Sequence, residues 1–91
     1  MNDRAILEQL LELLKAAGVK IRTEPMGGSG GGLCSVRGEN IFFADSQAQS
    51  LEVAVLASRA AARVVDIDSV YIRPEVRQFI ENHRDDKRAE K

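Results

Sequence analysis

LCSVRGENIFFAD, residues 33–45, reads as two short strands around a tight turn. LCSVR (33–37) and IFFAD (41–45) flank Gly38, Glu39 and Asn40, and glycine and asparagine tolerate the positive φ that a hairpin turn needs. Ile41, Phe42 and Phe43 form an unbroken apolar run. That run predicts a central strand, covered on both faces for part of its length.

Upstream of the hairpin, VKIRTE (19–24) alternates Val19, Ile21 and Thr23 with Lys20, Arg22 and Glu24. Period two with one charged face predicts a half-exposed strand, and Pro25 ends it. MGGSGGG (26–32) reads as a flexible connector. The chain opens with apolar residues at Ile6, Leu10, Leu13, Leu14 and Ala17, widened by Leu7 and Leu11, which is the spacing of one helix face. Asn2 or Asp3 suits the start of that helix, and Gly18 suits a left-handed residue just past its end.

Downstream, LEVAVLASRAAARVV (51–65) is apolar almost all round, with only Glu52, Arg59 and Arg63 as a thin polar line. Ser46 and Gln49 have the spacing of a capping box, so the helix is expected to begin near Ser46 or Ser50. Val53, Leu56 and Ala60 lie at least about 100° round the helix from Leu51, Val55 and Ala62. One sheet face does not cover both sets, so a homo-oligomer through this helix is expected. VYI (70–72) reads as a short extended piece, and Pro74 opens a last helix whose apolar face is Val76, Phe79 and Ile80.

The expectation is therefore one α+β domain over residues 1–83. It comprises an N-terminal helix, a three-stranded and mostly antiparallel sheet, a long helix packed on the sheet and a short C-terminal helix. The charged stretch RDDKRAEK (84–91) has no apolar anchor and is expected to be disordered.

Composition narrows function by exclusion. The chain has 91 residues, 44% hydrophobic and 30% charged, with a net charge of −1. A sequence pI near 5.8 does not suit a nucleic-acid binder, which usually carries a basic face. Aromatics at 4% are too few for base-stacking platforms. No apolar stretch approaches the roughly 20 residues that cross a bilayer, and the opening MNDRAILEQ has no basic, then apolar, leader pattern. One cysteine, Cys34, allows no intrachain disulfide and fits the cytoplasm.

Candidate sites are few. The glycines Gly27, Gly28, Gly30, Gly31 and Gly32 could cradle an anion with their amides. Leu33 and Cys34 follow, where a phosphate loop needs Lys and then Ser or Thr, and Leu33 also occupies the third glycine position of a dinucleotide loop. Arg73, Glu75 and Arg77 flank Pro74 with Tyr71 just before, which reads as a salt-bridged helix start or as a grip on a carboxylate or phosphate. Cys34 is a candidate reactive thiol, but a nucleophile needs a base and an orienting group. The one histidine, His83, stands near the end of the chain, so Cys34 reads as a small buried hydrophobe. One His and one Cys do not make a zinc site, and Asp66 with Asp68 reads as capping and solvated groups. No catalytic set, metal or cofactor is expected.

GGLCSVRGENIFFAD, SLEVAVLASRAAA and DSVYIRPEVRQFIE together resemble a group of small uncharacterised bacterial proteins. These have a GG-x-C/V strand, a turn glycine, an Ala/Leu-rich helix and a tyrosine-proline-valine-arginine ending. The similarity covers most of residues 27–81 and implies a bacterial cytosolic protein with no activity attached. A weaker resemblance is to the element order of ImmA/IrrE-type peptidases, which cut repressor proteins and carry H-E-x-x-H on the corresponding long helix. Ser58, Arg59 and Ala62 stand where the His, Glu and second His would be. That likeness implies a metal-free relative that keeps the scaffold without the chemistry.

Three functional expectations follow, the last of them an enzyme that uses Cys34. The first is a non-enzymatic interaction or regulatory protein, homo-oligomeric through the second long helix. The alternative is a small-molecule or anion-binding domain built on Gly28, Gly30 and Gly31 with Arg37, Tyr71, Arg73 and Arg77.

Overall fold

The computed structural model describes residues 1–29 and 31–84. The elements run α1 (Asp3–Ala16), β1 (Lys20–Glu24), β2 (Gly31–Val36), β3 (Glu39–Asp45), α2 (Ser50–Val64) and α3 (Pro74–His83). This is the α+β architecture expected from the sequence. Gly30 and the expected disordered tail from residue 85 onward lie outside the described residues.

α1 is framed by its ends. The Asn2 side chain accepts the Ala5 amide at 2.8 Å. At the other end Gly18, at φ 90°, lets Val19 donate to Leu14 at 2.9 Å and Gly18 itself donate to Lys15 at 3.0 Å. That pair of bonds closes a Schellman motif and turns the chain into β1. Ile6, Leu10 and Leu14, four residues apart, are the buried stripe.

The sheet order is β1-β3-β2, so IFFAD is central as expected. β2 and β3 form the antiparallel hairpin, with Leu33 opposite Phe42, and β1 joins β3 in parallel, with Ile21 opposite Phe42. Alternation then fixes the faces. Phe42 and Ala44 are buried, and Ile21 and Leu33 pack with them against the helices. Ile41 and Phe43 point the other way, half-buried and outside the core cluster. The expected double cover of β3 is thus corrected: one face carries the core and the other is only half covered.

The glycine stretch is shorter as a loop than the sequence reading supposes. Gly31 and Gly32 belong to β2 and pair with Ala44 and Phe43. Gly31 sits at φ 92°, and a Cβ there would overlap the Phe43 carbonyl, so only glycine allows this strand to approach.

α2 begins at Ser50 with Gln49 as its N-cap residue and no side-chain cap. The capping box expected from Ser46 does not form. Ser46 donates its amide to the Glu24 carbonyl at 2.9 Å, while the Asp45 carboxylate takes the Gln47 amide at 2.9 Å. Those bonds hold residues 45–48 as a turn ahead of the helix. α2 contacts α1, α3, β2 and β3, and buries Val53, Ala54, Ala57, Ser58, Ala60 and Ala61. α1 therefore supplies part of the cover that the sheet alone cannot. Residues 70–72 run as irregular chain anchored by buried Ile72, and Val76 and Ile80 of α3 complete the core.

Candidate functional site

The residues singled out in the sequence do not converge. At the start of the glycine loop, Met26 donates its amide to Asp45 Oδ1 at 2.8 Å and Gly27 donates to Gln47 Oε1 at 2.7 Å. The Gly27 amide, one of those an anion cradle would use, is thus already engaged. Gly28 is exposed beside the start of α2, Gly31 is inside the sheet, and Gly30 lies outside the described residues. Arg37 is at the far end of β2, in the hairpin turn at φ 54°. Six steps of extended chain separate it from Gly31, roughly 20 Å at about 3.3 Å per residue.

The α3 group is elsewhere again. Tyr71 is 83% exposed and lines a small cleft with Arg73, Gln9 and Leu13. Arg77 donates to the Ile67 carbonyl at 2.9 Å and lies 3.8 Å from the Asp68 carboxylate, bracing the connection into α3. Asp66 accepts the Ser69 hydroxyl at 2.6 Å, an ordinary turn contact.

Cys34 corrects the expectation of burial: it is exposed. Leu33 faces Phe42 in the core, so its neighbour must face outward, opposite Ile41. His83 turns to its own helix, with Nδ1 2.9 Å from the Phe79 carbonyl and its ring 4.3 Å from that of Phe79. At the positions suggested by the peptidase likeness, Ser58 is buried and donates to the Val55 carbonyl at 2.7 Å, and Arg59 is exposed. Among the described residues, no three His, Cys, Asp or Glu side chains gather as a metal site.

One cleft escaped the sequence reading. It has a volume of about 420 Å³ and lies between the first half of α1, the carboxyl ends of β1 and β3, and the first turn of α2. Leu7, Leu11 and Val53 line it with Thr23, Ser46 and Ser50. No local pattern announces it, because its walls come from four separate elements.

The surface with the most distinctive chemistry is the outward face of α2. Leu51 is 44% exposed, and Val55 and Leu56 are half-buried. With Gly28 and Ser29 they line an open, mainly apolar hollow. Leu56 also lines an adjoining hollow with Gly32, Leu33, Arg59 and Arg63. Glu52, Arg59 and Arg63 are exposed, and none of them makes an ion pair among the described residues. Arg59 is anchored at one point, donating Nε to the His83 carbonyl at 3.2 Å, and so caps the end of α3. This face joins apolar side chains to charges of both signs that have no ion-pair partner among the described residues.

Comparison with family models, with curated proteins and with solved structures returns no match. No helix of the described residues is long and apolar enough to cross a membrane.

Proposed function

We propose that this protein is a non-enzymatic interaction or regulatory protein that works as a homodimer, with the outward face of α2 as its binding surface. The observation that carries this reading is the grouping of Leu51, Val55 and Leu56 with Glu52, Arg59 and Arg63. Contiguous exposed apolar side chains rimmed by charge mark interaction surfaces. A chain of this size also buries a modest fraction of its surface alone, so an interface adds useful burial.

The compartment belongs to the same reading. An exposed, unpaired thiol suits a reducing environment, and the bacterial cytoplasm is the proposed location. The resemblance to small bacterial proteins agrees with this and brings no activity with it.

Light scattering across the micromolar range tests the reading. The expected mass rises with concentration from 10.0 kDa toward twice that value. A mass that stays at the monomer value to the highest concentration reached would overturn it.

A further inference from the structure

Resting on the homodimer reading above, we propose that α2 pairs antiparallel with α2 of a second copy, about a two-fold axis between Val55 and Leu56, so that Glu52 of each copy meets the partner's Arg59.

Register along α2 sets the pairing. Glu52 and Arg59 are seven positions apart. At 3.6 residues per turn they fall within about 20° of one line along the helix and roughly 10 Å apart. Val55 and Leu56 lie between them, one to each side of that line. The line points away from the core, because Val53, Ala54, Ala57, Ala60 and Ala61 occupy the opposite side of the helix.

A two-fold axis midway between residues 55 and 56 exchanges positions 52 and 59. Each acidic end of the stripe then lies on a basic end of the other copy, and the apolar pair closes against itself at the centre. Parallel pairing would instead stack Glu52 on Glu52 and Arg59 on Arg59, which repels at both ends. Arg63, a turn beyond Arg59, adds positive charge on the side from which Glu52 is approached. The same charges lack an ion-pair partner among the described residues of their own chain, as Arg37 and Arg73 also do. A single helix pair falls short of the roughly 1,000 Å² that marks a tight interface, so the dimer is a weak, reversible one.

The test is charge reversal in the full chain, with dissociation constants from sedimentation equilibrium. Glu52→Arg and Arg59→Glu alone should each weaken the dimer about tenfold or more, and the double variant should return to within about threefold of the unaltered chain. A chain that dimerises while both single variants leave the constant unchanged overturns the antiparallel pairing and leaves the homodimer reading intact. A chain that stays monomeric overturns both.

Arg59 also touches the end of α3, so a second variant avoids that contact. Val55→Cys on a Cys34→Ser background should oxidise to a covalent dimer, because the two introduced thiols lie next to the axis. Failure to cross-link in a chain that still dimerises would overturn the pairing independently.

Discussion

The Asp45 carboxylate accepts the Met26 amide at 2.8 Å, binding the end of β3 to the start of the glycine loop 19 residues earlier. The same oxygen accepts the Gln47 amide at 2.9 Å, and Gln47 in turn holds Gly27 at 2.7 Å. Asp45 is only 3% exposed. One buried acid thus ties the end of β3 to the start of the loop and to the turn ahead of α2.

Removing it should be costly. Asp45→Ala leaves two part-buried amides without their acceptor, and a loss of about 1–3 kcal/mol is expected. For a domain of this size each kcal/mol lowers the melting temperature by roughly 4–8 °C. Asp45→Asn keeps an oxygen in the accepting position and should lose distinctly less. Thermal denaturation decides, and an alanine variant as stable as the unaltered chain would remove Asp45 from this role.

Gly31 and Gly28 separate backbone freedom from close approach. Both have positive φ, near 92° and 89°. A Cβ on Gly28 would meet open space, so Gly28→Ala should cost about 1–2 kcal/mol for the backbone alone. A Cβ on Gly31 would overlap the Phe43 carbonyl, and Gly31→Ala should cost roughly 3 kcal/mol or more through displacement of β2. Equal losses in urea denaturation would show that the strand approach imposes no constraint.

Cys34 should react with a thiol reagent in the native state, to one equivalent per chain and as fast as in denaturant. A thiol that titrates only after unfolding would place Cys34 inside and reverse the faces of β2.

Much of the architecture is legible in local pattern, because the features that carry it are local. The stripe Ile6, Leu10 and Leu14 with Gly18 specifies α1, and Pro74 marks the start of α3. Gly38 lies in the turn that joins β2 to β3. What escapes depends on partners distant in the chain. The parallel pairing of β1 with β3 leaves no mark within VKIRTE. Gly31 and Gly32 look like loop until the Phe43 carbonyl is placed against them. Ser46 resembles a cap, yet the bond it makes is to Glu24, across the sheet.

The candidate surface was half legible. Glu52, Arg59 and Arg63 stand out as a polar line in an apolar helix. Which apolar neighbours stay at the surface depends on how α1 and α3 cover α2, which periodicity alone does not give. Position 34 follows a simpler rule: once Leu33 is fixed against Phe42, alternation sends Cys34 outward.

The most direct test of the dimer through α2 is a dilution series of backbone amide spectra of the full chain, from high to low micromolar concentration. Chemical shifts should move together along one binding curve, with the largest changes on Leu51, Glu52, Val55, Leu56 and Arg59. Shifts that do not change on dilution, or that change on the outer sheet face at Ile41 and Phe43 while α2 stays silent, would contradict it.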